Sequence, residues 1–340
     1  MILKMGKLIM RAKSNLLLCL MMLASACGPA DTAPEISPIH LDDIHFIVAN
    51  EADAVGFFEQ KFGAREMAHP GERFDLARFL SVKWQDPTIT ITRIGPYKDL
   101  PPERNARWLE AKLIRPDNAK INPYYGVKWL AFATPSLDDA RRKLIAAGAG
   151  ISETSVNLPM EPEAKAFSIY GPDGAELVIV ERKDREYANA DFAIDHIQFL
   201  TSDVAVTKKF FENVFDGTTT GQTKAGTTMK VADAVITLSE PEAFGYDREK
   251  VSPASRSGAI QLGVDHLGFL YEDIQAAVDQ AALNGYEPVF KPTRYIYKNK
   301  PTVYTFTAFA SPDKFNIEMV QVDGRHGPHS YYDQRTETDR

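Results

Sequence analysis

Asp43-Ile-His-Phe-Ile-Val, followed by Gly56-Phe-Phe-Glu-Gln-Lys-Phe-Gly63, returns later in the chain as His196-Ile-Gln-Phe-Leu-Thr, followed by Lys209-Phe-Phe-Glu-Asn-Val-Phe-Asp216. Phe57, Phe58, Glu59 and Phe62 meet Phe210, Phe211, Glu212 and Phe215 at one constant separation of 153 positions. A second pair does the same at 137 positions: Trp129-Leu-Ala-Phe-Ala with Leu144-Ile-Ala-Ala-Gly148, and His266-Leu-Gly-Phe-Leu with Ala281-Ala-Leu-Asn-Gly285. Two constant separations with the same order of segments are an internal repeat, and a repeat has to be read before any motif. Each copy opens on alternating apolar residues, the period-two pattern of a strand with one buried face. Phe57, Phe58 and Phe62 then recur at helical spacing, and Gly63, Gly148 and Gly285 stand where a C-cap ends a helix. Strand signals close the copies, among them Thr88-Ile-Thr-Ile-Thr-Arg-Ile94, Glu176-Leu-Val-Ile-Val180, Ala234-Val-Ile-Thr-Leu238 and Phe315-Asn-Ile-Glu-Met-Val320. The spacing predicts an α+β fold built from one βαβββ module repeated four times.

The 340 residues are 44% hydrophobic and 25% charged, enough apolar side chain for a sizeable core and too much for a disordered or collagen-like chain. Lys and Arg number 39 against 46 Asp and Glu, a net charge of −7. Without a basic surplus, nucleic acid is not the expected partner. Cys19 and Cys27 are too few for a disulfide scaffold or a cysteine-rich zinc site. Residues 1–26 read as an export signal. Lys4, Lys7, Arg11 and Lys13 precede the apolar run Leu16–Leu23, which is too short to span about 30 Å of hydrocarbon and ends in small residues. Leu-Ala-Ser-Ala-Cys27 resembles a lipobox, so the chain is expected as a periplasmic, membrane-anchored lipoprotein with Cys27 lipidated. Cleavage by the general signal peptidase would leave the same Cys27 first without lipid. Residues 27–40, with three prolines, read as a tether, and 323–340 as a flexible polar tail.

Asp-His-Ile and Asp-His-Leu on first strands, at Asp195–Ile197 and Asp265–Leu267, occur together with Gly171-Pro-Asp-Gly174 and Ser311-Pro-Asp313 before last strands. In these features the chain resembles the vicinal oxygen chelate superfamily of glyoxalase I, bleomycin-resistance proteins and type I extradiol dioxygenases, over about residues 41 to 322. The resemblance implies module pairs that curl into half-open barrels around concave sites. It gives two domains, 41–183 and 191–322, joined near Lys183–Ala190.

The superfamily takes its metal ligands from the first and last strands of each module. Applied to the second domain, that implies a site of His196, His266 and Glu318. Two imidazoles and a carboxylate form the facial triad of iron(II) enzymes, with positions left open for substrate and O₂. The remaining last-strand position falls near Thr237, a poor ligand. In the first domain Asp43, Trp129 and Val178 occupy the corresponding places, so that domain is expected to be metal-free, although His45 and Glu176 lie two residues from those positions.

The metal-site resemblance implies a divalent-metal enzyme, with iron(II) the first expectation and manganese or zinc the alternatives. Its reaction would be a dioxygenation of a small catecholic or 2-oxo-acid substrate. A non-oxidative isomerase, epimerase or lyase is the second reading, and a lipid-tethered small-ligand binding protein the third. The tyrosine that extradiol enzymes carry ten residues before the ligand glutamate is Ala308 here, so the polar candidates for catalysis are Gln198, Tyr304 and Asn316. The chain carries no GxxxxGKS/T, GxSxG, HExxH or CxxC motif. Cys27→Ser should move the protein from the membrane pellet to the soluble periplasmic fraction. A wild-type protein already soluble there would contradict lipidation.

Overall fold

A computed structural model describes residues 36–66, 77–82, 88–93, 112–114, 123–185, 191–253, 259–296 and 303–322. The segment expected as an export signal with Cys27, most of the expected tether and the expected tail at 323–340 lie outside the described residues. The four modules are all present. Module one is β1 (His40–Val48), α1 (Glu51–Phe62), β2 (Arg65–Glu66), β3 (Ala77–Ser81) and β4 (Thr88–Arg93). After β5 (Lys112–Ile114), module two is β6 (Gly126–Thr134), α2 (Leu137–Ala146), β7 (Ile151–Glu153), β8 (Ala166–Tyr170) and β9 (Glu176–Glu181). Module three is β10 (Ala193–Leu200), α3 (Val204–Phe215), β11 (Thr218–Thr223), β12 (Gly226–Val231) and β13 (Ala234–Ser239). Following β14 (Ala259–Gln261), module four is β15 (Gly263–Leu270), α4 (Ile274–Leu283), β16 (Thr293–Ile296), β17 (Val303–Ala310) and β18 (Asn316–Val322). Each helix starts on a side-chain cap from Asn50, Ser136, Asp203 or Asp273, which satisfies backbone N–H groups that have no partner within the helix. No helix among the described residues is long and apolar enough to cross a membrane.

The modules form two eight-stranded sheets of the same order, β16-β17-β18-β15-β1-β4-β3-β2 and β7-β8-β9-β6-β10-β13-β12-β11. Module one is thus joined to module four through antiparallel β1 and β15, and module two to module three through antiparallel β6 and β10. This corrects the division into 41–183 and 191–322 as two self-contained barrels, because each of those segments gives one module to each sheet. Alternation along a strand says which face is buried, but not which neighbour its edge will accept. Contiguous modules are tied in a different way. The Asp173 carboxylate of the first Pro-Asp turn accepts the Ala49 N–H at 2.7 Å. Asp313 of the second accepts the Ser202 N–H at 2.9 Å and the Thr201 hydroxyl at 2.7 Å.

The core is shared between the sheets. On α1, which packs over β3 and β4, Phe62 lies against Phe132 of the second sheet (ring centroids 4.3 Å) and Phe192 (5.0 Å). Reciprocally, Phe215 of α3 lies against Phe269 of the first sheet at 5.4 Å. At the start of β6, Gly126 has φ +118°, and a Cβ there would come 2.6 Å from the Phe315 ring. The end of the expected tether is built in too: the Ile39 N–H donates to the Leu270 carbonyl at 2.8 Å, and β1 begins at His40. Phe62 is 3% exposed. Phe62→Ala should therefore lower stability by about 3–5 kcal/mol through the cavity it leaves, read from urea unfolding.

Candidate metal centre

The seam between β1 and β15 sets His45 opposite His266 and Asp43 opposite Gly268. On the outer sides, parallel β4 brings Thr90 beside His45, and parallel β18 brings Glu318 beside Gly268. The two-residue period puts Asp43 and His45 on one face of β1. Irregularities between Leu41 and Asp43 and between His45 and Phe46 bracket the pair, as bulges that re-aim side chains near a site do.

Donor atoms of Asp43, His45 and His266 all lie within 4.8 Å of one another. His45 Nδ1 is 2.9 Å from His266 Nε2, and Glu318 Oε2 is 3.6 Å from that same nitrogen. The other nitrogen of His266, Nδ1, is held by Asp265 Oδ2 at 2.9 Å, so the ring is fixed with Nε2 facing the cluster. A Cβ on Gly268 would sit 2.2 Å from Asp43 Oδ1, so glycine there is what leaves room for the carboxylate.

Electrostatically the group attracts a positive charge. Burial raises the Asp43 carboxyl, against the pull of His266 and the Thr90 hydroxyl. Burial pushes Glu318 up to about 7, with His266 opposing and Asp43 and Asp265 adding to the rise. Burial lowers His266, but Glu318, Asp265 and Asp43 outweigh it and raise the imidazole to about 10. His45 is pushed down to about 3 by burial and by His266, so it presents a neutral imidazole. The proton on His266 supplies the cationic charge that three surrounding carboxyl groups favour.

The structure therefore brings His266 and Glu318 together as the strand positions imply, and it separates His196 from them. His196 lies on β10 in the other sheet, where the Trp129 indole N–H is 3.4 Å from its Nε2 and Asp195 holds its Nδ1 at 2.9 Å. On the same face, Trp129, Ala131, Val156, Leu158, Ala166, Val178 and Val180 form a continuous apolar cluster, with Phe244 packed against it. The expected grouping of His196 with His266 and Glu318 does not form: the side chains that meet are those of Asp43, His45, His266 and Glu318. Asp43, expected in a donor-poor site, lies in this cluster. The i, i+2 donors of β1 were visible in the sequence, and what it lacked was the identity of the neighbouring strand.

Of the polar candidates, Gln198 is buried and committed to structure. Its Nε2 donates to the Thr237 carbonyl at 3.1 Å, and its Oε1 accepts the Thr237 hydroxyl at 2.7 Å. Tyr304 packs with Phe306 and Ile39 over Leu270, Val320 and Val322. Asn316 is exposed at the start of β18.

Residues 193–319 match the family model of the Glyoxalase/Bleomycin resistance protein/Dioxygenase superfamily. The matched segment runs from the first strand of module three into the last strand of module four. Among solved structures, glyoxalase I from Zea mays is 12% identical and superposes over 83% of this chain and 92% of that one, with a TM-score of 0.59. A Bacillus subtilis subsp. subtilis str. 168 protein provisionally assigned as a dioxygenase is 14% identical over 88% and 92% of the two chains, with a TM-score of 0.57. At these identities the likeness is one of fold. No curated protein matches the chain.

The second sheet generates its own test. Burial would raise the Asp195 carboxyl, yet hydrogen bonds from His196 and Arg182 outweigh burial and hold it well below the ordinary carboxylate range. Arg182 Nε and Nη2 grip it at 3.1 and 2.9 Å. A lowered carboxyl contributes stability above its unfolded value of 3.8, and that contribution is lost as the pH falls. Arg182→Met should cost on the order of 2 kcal/mol at neutral pH, less than a fully buried pair because Arg182 is a quarter exposed. Urea unfolding across pH should show the gap to wild type narrowing below about pH 4.

Proposed function

We propose that this chain is a divalent-metal enzyme that takes a small substrate through two adjacent oxygen atoms, with the ion held by His266, Asp43 and Glu318. The convergence of these three side chains from two modules on one sheet face carries the reading. The donor set fits the group: one imidazole whose far nitrogen is fixed by a carboxylate, and two carboxyl groups in a setting that draws positive charge. Imidazole with carboxylate suits iron(II), manganese or zinc. When bound, such an ion polarises substrate oxygens as a Lewis acid.

The chain's own residues supply orientation and a partly apolar wall. Asp265 sets the tautomer of His266, and Gly268 gives Asp43 its place. Beyond Glu318 on the same face of β18 come Val320 and Val322, covered with Leu270 by Tyr304 and Phe306. An iron(II) dioxygenase acting on a catecholic or 2-oxo-acid substrate is one chemistry for such a site. A non-oxidative isomerase, epimerase or lyase is the other, favoured by a second imidazole, that of His45, within reach of the same point. We further propose that the protein works on the periplasmic side of a membrane, anchored through Cys27.

Metal analysis of protein purified without a histidine tag tests the reading. Wild type should retain a stoichiometric divalent ion, and His266→Ala should lower affinity by about ten-fold or more. His196→Ala should bind metal as wild type does. Equal retention in His266→Ala, or loss in His196→Ala, would contradict the assignment.

A further inference from the structure

We infer that His45 is a fourth donor to the ion of this site, taking the place that Thr90 does not fill, and that this donor count directs the site toward non-oxidative chemistry. The inference rests on the metal-centre reading above and concerns its composition. Within the first sheet, a pseudo-two-fold relation about the β1–β15 seam follows from the register. Asp43 corresponds to His266, His45 to Gly268, and Thr90 to Glu318. Three of the four first- and last-strand positions thus carry good donors, and the fourth carries a neutral hydroxyl on buried Thr90. His45 is the in-register neighbour of Thr90, one strand nearer the seam. A donor missing from β4 is replaced by one on β1.

The second sheet shows what this pair of positions does when Trp129 and Val178 stand in place of His266 and Glu318. There the equivalents of His45 and Thr90 are Gln198 and Thr237, again register neighbours. They bond to each other: the Thr237 hydroxyl reaches Gln198 Oε1 at 2.7 Å, and Gln198 Nε2 reaches the Thr237 carbonyl at 3.1 Å. His45 instead turns across the seam, with Nδ1 2.9 Å from His266 Nε2 and the two rings nearly perpendicular at 78°. Two imidazole nitrogens at that separation share a proton or face a common cation. His266 Nε2 also faces Glu318, and Asp43 lies within the same 4.8 Å group. The arrangement favours the common cation.

With four protein donors, an ion that accepts six ligands would keep two positions for the two oxygens of a chelating substrate. None would remain there for O₂. The matching reaction class is a proton shift or elimination next to a polarised oxygen, which consumes no oxidant. This differs from the three-donor oxygenase in the substrates it would turn over and in having no oxygen uptake.

The test measures zinc(II) affinity by chelator competition on the full chain. His45→Ala should bind zinc(II) about ten-fold or more weakly than wild type. His45→Ala combined with Thr90→Glu should recover most of that loss, because a glutamate on β4 would mirror Glu318 on β18. Pulsed electron paramagnetic resonance of the copper(II)-loaded wild type counts coordinated imidazoles without relying on any variant, and two are expected. One imidazole, or a His45→Ala affinity within about three-fold of wild type, would overturn the role of His45 while leaving the three-donor centre intact. Wild type that binds neither zinc(II) nor manganese(II) would overturn both readings. Oxygen uptake by the iron(II)-loaded protein with catechols or 2-oxo acids would overturn the non-oxidative assignment.

Discussion

The antiparallel pairing of β1 with β15 is the interaction on which the rest depends. Its backbone ladder joins the first module of the chain to the last, and its register decides which side chains meet. With His45 opposite His266 and Asp43 opposite Gly268, two donors from the first module and one from the last reach one point. A shift of one residue would turn every one of these side chains to the other face. Glu318 then enters through β18, the parallel neighbour of β15.

The two sheets show one scaffold put to different uses. In the second, Trp129 stands where His266 stands in the first, and Val178 stands where Glu318 does. The surrounding apolar residues close that face, and His196 is left as a satisfied interior histidine between Trp129 and Asp195. Apolar filling of this kind stabilises through burial. The first sheet keeps four such groups, Asp43, His45, His266 and Glu318, in contact on one face, which costs desolvation and marks a candidate site. The asymmetry between identical frameworks locates the working face more sharply than either face alone.

The Pro-Asp turns explain why contiguous modules remain close without sharing a sheet. Asp173 and Asp313 each reach back to a backbone N–H just past the first strand of the preceding module. Together with the phenylalanine contacts from α1 and α3, they hold the two sheets on a common core. The helices and turns therefore bind modules one to two and three to four, while the strands bind one to four and two to three.

The sequence by itself determined the module and its four-fold repetition, because strand alternation, helical spacing and constant separations are local or arithmetic properties of the chain. Through the family resemblance it also singled out His266 and Glu318 at first- and last-strand positions, and Trp129 and Val178 as equivalents without donor atoms for a metal. Only the tertiary structure decided which modules share a sheet. Hydrogen-bonding edges of similar strands are chemically alike, and the choice among them is made by packing over the whole molecule. That choice moved His196 out of the centre and Asp43 and His45 into it. Each residue's face could be read from its own strand, but its partners belong to segments some 220 residues away, and no local pattern encodes such a distance.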